Sequence, residues 1–171
     1  MQRHLRFLLS SFCFLLGAIS FASCSFNANV QGKGEAYLQG EWRQDSVPMQ
    51  RKLTEYSLYE MTFSCDSFYM KISSFSKVNN GADACTESGR WTEYTKGTYR
   101  QGHDTLRLRG QFCNANHSLK QEGGCFRSGD YDEDFVLKKK NDSLLEFLST
   151  TSDIPIEARL IKHTTCNPKP L

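Results

Sequence analysis

The sequence lacks an excess of charge of either sign. Its 171 residues contain 21 Lys and Arg against 19 Asp and Glu. The single basic run, Lys138-Lys139-Lys140, abuts Asn141-Asp142 and is predicted to be a solvated turn. Binding to nucleic acid without sequence preference requires many Lys and Arg side chains on one surface. The composition therefore excludes nucleic acid as a partner.

Catalytic and metal-binding motifs are also missing from the sequence. It contains no G-x-S-x-G, no H-E-x-x-H and no pair of cysteines at C-x-x-C spacing. Asp130, Asp132 and Asp134 alternate, but they lack the Gly and terminal Glu of an EF-hand loop. They are predicted to form the solvent face of a strand, and no metal or cofactor is expected. An acid–base pair of Glu133 with His117 is left open as an alternative.

The first 23 residues have the order of a signal peptide. Arg3 and Arg6 precede an apolar run over residues 7–21, which is shorter than the roughly 20 residues that span a bilayer. Phe21-Ala22-Ser23-Cys24 resembles the lipobox of bacterial lipoproteins. The resemblance implies cleavage before Cys24 and a lipid on that cysteine. Since Ser25 follows without an acidic run, it also implies an outer-membrane lipoprotein that faces the periplasm.

Cleavage before Cys24 would leave one neutral domain. Removing 23 of the 171 residues leaves 148, enough for a single core. Arg3 and Arg6 leave with the signal, so 19 basic side chains then face 19 acidic ones. Residues 24–38 are small and polar and are predicted to be a flexible tether, and 39–171 are predicted to be the folded domain.

Period-two alternation dominates the folded domain, and helical periodicity is weak. Eight strands are predicted, over 40–44, 58–65, 68–72, 90–100, 105–112, 131–137, 144–148 and 156–163. The linkers after strands one, three and five are long, whereas those after two, four and six are short turns. Alternate linkers of an up-and-down barrel lie at the same end. The fold class is therefore all-β, an eight-stranded antiparallel barrel shaped like a cup.

Gly40-Glu41-Trp42, at the start of the first strand, is similar to the G-x-W motif of lipocalin-like proteins. In that family the Trp lies across the closed end of the barrel beneath an Arg from the last strand. The resemblance implies a barrel floor made by Trp42 and Arg159, held by a cation–π contact.

Longer stretches resemble a group of small bacterial lipoproteins of this length. They are Tyr37-Leu38-Gln39-Gly40-Glu41-Trp42, residues 123–129 and residues 164–171. Some members of that group carry an automated fumarate hydratase name. The class II fumarase signature G-S-S-x-M-P-x-K-x-N is absent here, and iron–sulfur fumarases need cysteines that ligate a cluster in a far longer chain. The sequence thus does not favour that activity.

The predicted cup has apolar walls and a polar rim, as small-molecule sites do. The interior is predicted to be lined by Tyr59, Phe63, Met70, Leu108 and Phe135 with the carboxylate of Glu133, and the rim by Asn79, Asn80, Asn114, Asn116, Lys120 and Arg127. We therefore expect a non-catalytic lipoprotein that binds a small apolar or amphipathic ligand. The alternative is a filled barrel that serves as an envelope interaction or structural module, with an enzyme as the third possibility.

Five cysteines follow Cys24, so at most two disulfides form and one thiol is left. A strand of about eight residues separates the barrel ends by over 20 Å, whereas a disulfide needs Cα atoms within roughly 7 Å. Cys65 and Cys166 are both predicted at the short-turn end and should pair. At the rim Cys85–Cys125 is preferred over Cys113–Cys125, which leaves Cys113 as the free thiol.

Overall fold

The computed structural model describes residues 30–78, 85, 86, 89–122 and 124–170. The described residues from Gln31 onward belong to one compact unit. The predicted signal peptide and Cys24 lie outside the described residues, as do Asn79 and Asn80. Within the described ranges no helix is long and apolar enough to span a membrane.

Eight antiparallel strands form a closed barrel in which each strand pairs with its neighbours in sequence and β1 pairs with β8. They are β1 (Gly40–Arg43), β2 (Glu55–Ser64), β3 (Ser67–Ser76), β4 (Arg90–Gly102), β5 (Thr105–Cys113), β6 (Asp130–Asn141), β7 (Leu144–Ser149) and β8 (Ile156–His163). The predicted fold class is confirmed. The basic run at 138–140 was wrongly predicted to be a turn, because β6 continues through it and Lys138 and Lys140 contact Glu146 on β7.

The two ends of the barrel differ as the linker lengths predict. Residues 65–66, 103–104 and 142–143 make tight turns at one end, which we call the floor. The longer linkers, which follow β1, β3, β5 and β7, leave the strands at the other end, which we call the mouth.

Side chains alternate between the barrel interior and the solvent. On β3, Phe68, Met70 and Ile72 are buried, whereas the residues between them are only partly buried. On β6 the aspartates at 130, 132 and 134 face outward, as predicted, and Arg109 contacts the last two. This alternation gathers the buried apolar side chains inside the barrel, where water is excluded from them.

Aromatic rings pack tightly in the barrel interior. The ring of Phe63 lies 5.2 Å from that of Tyr99 and 6.4 Å from that of Phe147, and Phe135 meets Phe147 edge-on at 6.0 Å. Spacings of this size are those of aromatic rings in direct contact. This part of the barrel is therefore filled by its own side chains.

The floor is sealed by the segment that precedes β1. The 3₁₀ helix Ala36–Leu38 buries Leu38 completely. The backbone N–H of Gly32 donates to Asp66 (2.8 Å) and that of Glu35 donates to the Tyr99 hydroxyl (3.0 Å). Residues 31–38 are therefore part of the folded domain, and the prediction that the tether extends to residue 38 is wrong for them.

Gln39 is the central polar residue of the floor. The two N–H donors of its Nε2 are shared among three acceptors, the carbonyl of Cys65 (2.9 Å), the hydroxyl of Tyr99 (2.9 Å) and the carbonyl of Glu35 (3.1 Å). Its Oε1 accepts the backbone N–H of Cys65 at 2.6 Å. One buried amide thus joins the segment before β1 to the first tight turn and to β4.

Trp42 is buried as predicted, but Arg159 does not cover it. The indole Nε1 donates to the carbonyl of Leu38 at 2.8 Å. Arg159 faces outward because it follows the buried Ala158 on β8, and its guanidinium contacts Asp45 at 3.0 Å. The predicted cation–π floor is wrong, and the floor is made by Leu38 and Gln39 instead.

Candidate functional site: the barrel mouth

Two disulfides join the pairs predicted from the topology. Cys65 is bonded to Cys166 at the floor, with Cα atoms 4.7 Å apart, and Cys85 is bonded to Cys125 between two linkers of the mouth, at 5.3 Å. Cys113, at the end of β5, is the free cysteine of the described chain and is buried. Burial raises the pKa of its thiol, which disfavours the reactive thiolate.

A buried carboxylate and a guanidinium meet in the barrel mouth. Glu93 is an inward residue of β4 whose side chain is only 4% exposed. Its Oε1 accepts both the backbone N–H and the Nε of Arg127 at 3.0 Å, and its Oε2 accepts Nη2 at 2.6 Å. Burial alone would raise the pKa of Glu93, but the hydrogen bonds and charge of Arg127 lower it overall.

The two residues before Arg127 position it. Cys125 is fixed by its disulfide to Cys85, and the ring of Phe126 stacks on that of Trp91 at 5.8 Å. Phe126 has φ +67°, in the left-handed region that side-chain-bearing residues rarely adopt. This conformation is held by the contacts on either side, and it turns Arg127 toward Glu93.

Aromatic side chains surround the ion pair. The guanidinium of Arg127 lies 4.8 Å from the ring centre of Phe112, and Phe112 meets Tyr131 edge-on at 5.6 Å. Burial raises the pKa of Tyr59 and Tyr131, and both hydroxyls feel the charges of Arg127 and Glu133. The phenols therefore stay neutral and can donate or accept hydrogen bonds.

Among the described residues, three buried polar atoms have no hydrogen-bond partner; one is Oδ1 of the outward Asp134, which Arg109 meets in an ion pair at 2.8 Å, and the other two lie inside the barrel. They are Oε1 of Gln44 and Oγ1 of Thr95 on β4. Gln44 directly follows β1 and faces inward, because it lies two residues after the inward Trp42. Gln44 is 3% exposed and Thr95 is fully buried. Buried polar groups in proteins are nearly always satisfied by protein atoms, water or ligand. Both atoms therefore call for a polar partner inside the barrel.

The structure divides the predicted interior residues into two groups. Phe63, Met70 and Leu108 are at most 1% exposed and are packed in the core, together with Phe135. Tyr59 and Glu133 lie nearer the mouth, where Glu133 accepts hydrogen bonds from the hydroxyls of Ser149 and Thr151. Any site in the mouth is thus shallower than the sequence predicts.

The predicted rim residues also separate. Of these, Arg127 enters the barrel, whereas Asn114 and Asn116 hydrogen-bond to Ser118 and build an exposed turn. The ammonium of Lys120 lies 5.8 Å from the ring centre of Phe126. Asn114 and Asn116 thus shape the linker, whereas the charge of Lys120 contributes, after that of Arg127, to lowering the pKa of Glu93.

Glu133 and His117 do not form an acid–base pair. His117 stacks on Tyr69, an outward residue of β3, with ring centres 4.0 Å apart. Glu133 is held by Ser149 and Thr151 at the end of β7. The two groups are thus on different surfaces, and this open alternative from the sequence is wrong.

Sequence reasoning missed Glu93, Gln44 and Thr95, which with Arg127 and Tyr59 form the candidate site. Strand alternation could have identified two of them. Glu93 and Thr95 lie an even number of residues before the buried Tyr99 on β4, so their side chains are on the same, inward face of the strand. The comparisons with known proteins add no second guide to this site, because no family model, curated protein or solved structure matches the chain.

Proposed function

We propose that this protein is a membrane-anchored lipoprotein of the periplasm that binds a small amphipathic ligand in the barrel mouth. The anchor is the lipid proposed for Cys24, on the N-terminal pattern of the sequence. The ligand's polar group would meet Gln44, Thr95 and the Glu93–Arg127 pair. Its apolar part would lie against Tyr59 and the aromatic rings nearby.

The observation that carries the proposal is the pair of unsatisfied oxygens of Gln44 and Thr95. A barrel filled only by its own side chains would keep apolar residues at these positions, because an unsatisfied buried polar group costs about 1–3 kcal/mol. A ligand or a water held with it would supply the missing hydrogen bonds. Arg127 would act as the lid, since it comes from a mouth linker and its side chain is 59% exposed.

Packing of the barrel interior favours a second candidate. Phe63, Met70 and Leu108 leave no exposed apolar wall in the lower barrel, as expected for a filled structural or interaction module. In that case the protein would act through its outer surface and its linkers, and the mouth would hold only water.

One isosteric substitution distinguishes the two candidates. Thr95→Val replaces the unsatisfied hydroxyl with a methyl group of the same shape. In a filled, dry barrel it should raise the free energy of unfolding by about 1–3 kcal/mol. In a ligand-binding barrel the wild-type chain, expressed without its lipid as residues 25–171, should carry a mass excess in native mass spectrometry that Thr95→Val loses.

Thr92→Val is the matched control, because Thr92 is an exposed residue of the same strand. It should retain both the mass excess and the stability of the wild type. A wild-type chain with no mass excess, combined with a Thr95→Val chain that is more stable, would refute ligand binding and establish the filled barrel.

A further inference from the structure

A groove of about 900 Å³ runs along the outer face of the barrel, across β2 to β5, and is separate from the mouth. Its size is within the range of small-molecule sites, about 300–1,000 Å³. Outward residues of these strands line it, and they include Thr62, Ser64, Ser67, Tyr69, Lys96, Thr98, Arg109 and Gln111. His117, Asp130 at the start of β6 and Lys169 of the C-terminal segment also line it.

The base of this groove is formed by backbone at two facing glycines. Gly97 on β4 pairs with Gly110 on β5, and both line the groove. A Cβ atom on Gly97 would lie 2.1 Å from the carbonyl oxygen of Arg109, and one on Gly110 would lie 2.0 Å from that of Lys96. Side chains are therefore excluded at both positions.

A pair of stacked rings forms one wall. His117 lies over Tyr69 with an interplanar angle of 18°, and Lys96 donates a hydrogen bond to the carbonyl of His117. His117 has φ +66° in a turn closed by the N–H of Asn114 bonding to Ser118. The imidazole is thus a positioned, exposed ring at the edge of the groove.

The groove is lined by three cations and one carboxylate, Asp130, and two of the cations have no ion-pair partner among the described residues. Arg109 is met by Asp132 and Asp134. By contrast, Lys96 and Lys169 have no carboxylate partner within the part of the chain that the structure describes. Lys96 uses one of its three protons on His117, so two remain for an anion.

This chemistry selects among ligand classes. A peptide cannot add as a strand, because β3, β4 and β5 are already paired along the groove. The few cations do not match the charge density of nucleic acid. Hydroxyl and amide side chains, a positioned ring and lysines at the ends match the hydroxyls, flat faces and acidic substituents of a sugar chain.

We propose that the outer groove binds a sugar chain that carries carboxylate groups. The sugar hydroxyls exchange hydrogen bonds with the Ser and Thr side chains and with Gln111, one sugar ring lies on His117, and the carboxylate meets Lys96 and Lys169. This site is independent of the ligand proposed for the mouth.

The test uses the full mature protein in a polyoxyethylene detergent, which has no sugar headgroup, and isothermal titration calorimetry. The probe is a tetrasaccharide of alternating N-acetylglucosamine and N-acetylmuramic acid, which carries lactyl carboxylates. The matched glycan is the tetramer of N-acetylglucosamine, which lacks them. Wild type should bind the acidic glycan at least about tenfold more tightly than the neutral one, and Lys96→Gln/Lys169→Gln should remove about that factor.

The double variant Lys52→Gln/Lys77→Gln removes the same charge from outside the groove and should bind as wild type does. Thr95→Val, in the barrel interior, should also leave glycan binding unchanged, so the two proposals can fail separately. Equal binding of the two glycans, no binding of either by folded wild type, or equal losses in the two double variants would overturn the proposal. Thermal melting confirms that each variant is folded.

Discussion

Gln39 is the residue on which the closed end of the barrel depends most. The two N–H donors of its side-chain amide are shared among three acceptors, its Oε1 accepts one hydrogen bond, and the residue is 2% exposed. Gln39→Met keeps the length of the side chain but leaves the N–H and the carbonyl of Cys65 without these bonds. Each buried group left unsatisfied costs about 1–3 kcal/mol. We expect the free energy of unfolding to fall by about 2–5 kcal/mol.

Urea unfolding, followed by tryptophan fluorescence, measures this loss. A domain of this size loses about 2–4 °C of melting temperature per kcal/mol, so the thermal midpoint should fall by roughly 4–20 °C. Gln111→Met is the control, because Gln111 is exposed on β5 and its substitution should stay within about 0.5 kcal/mol of wild type. If both variants unfold at the same urea concentration, the hydrogen bonds of Gln39 do not stabilise the floor.

Three further predictions concern the ion pair, the disulfides and the anchor. The pKa of Glu93 in the folded protein lies below its ordinary value of 4.5. Its pairing with Arg127 therefore stabilises the fold above pH 4.5, and this stabilisation is lost as the pH falls through the folded pKa. Arg127→Met should therefore lower the melting temperature at pH 7 and cost progressively less below pH 4.5, and a cost that does not change with pH would contradict the pairing. Cys166→Ser opens a loop with a sequence separation of 101 and should lower the free energy of unfolding by about 4.7 kcal/mol. Cys85→Ser opens one with a separation of 40 and should lower it by about 3.9 kcal/mol. If urea unfolding ranks the two variants in the opposite order, the loop-length argument is contradicted. Cys24→Ser should leave an unprocessed or soluble precursor, and normal maturation with membrane fractionation would show that the lipobox interpretation is wrong.

The strands and the disulfides could be predicted because they depend on regular features of the sequence. A barrel strand has one dry and one wet face, so alternation reports it directly, as in Leu106 and Leu108 on β5. Linker length then assigns each cysteine to an end of the barrel. The pairing of Cys65 with Cys166 follows from those two facts alone.

The floor could not be predicted in the same way. Gln39 follows small polar residues that are typical of a tether, and its main partner, Cys65, lies 26 residues further along the chain. For Arg159 the family resemblance conflicted with alternation, because the buried Ala158 beside it already requires an outward side chain. Alternation was the better guide at that position.

The candidate site depends on contacts between a strand and a linker. Glu93 shows the parity of an inward residue, but Arg127 is 34 residues away, in a linker without regular structure. Its position requires the Cys85–Cys125 disulfide, the Trp91–Phe126 stack and an unusual φ at Phe126 together. No local pattern contains this combination.

If Cys24 carries the proposed lipid, the attachment of residues 31–38 to the floor limits how far the barrel can move from the membrane. Gln31 is held by Ser67 and by the backbone of Lys169 at the floor end. Only six residues lie between it and Cys24, and the seven Cα-to-Cα steps of a fully extended chain span at most about 3.6 Å each, or roughly 25 Å in all. With a lipid on Cys24, the tight turns would face the bilayer at short range and the mouth would open away from it. A ligand entering the mouth would then arrive from the aqueous side, and a lipid molecule would have to leave the bilayer to reach it.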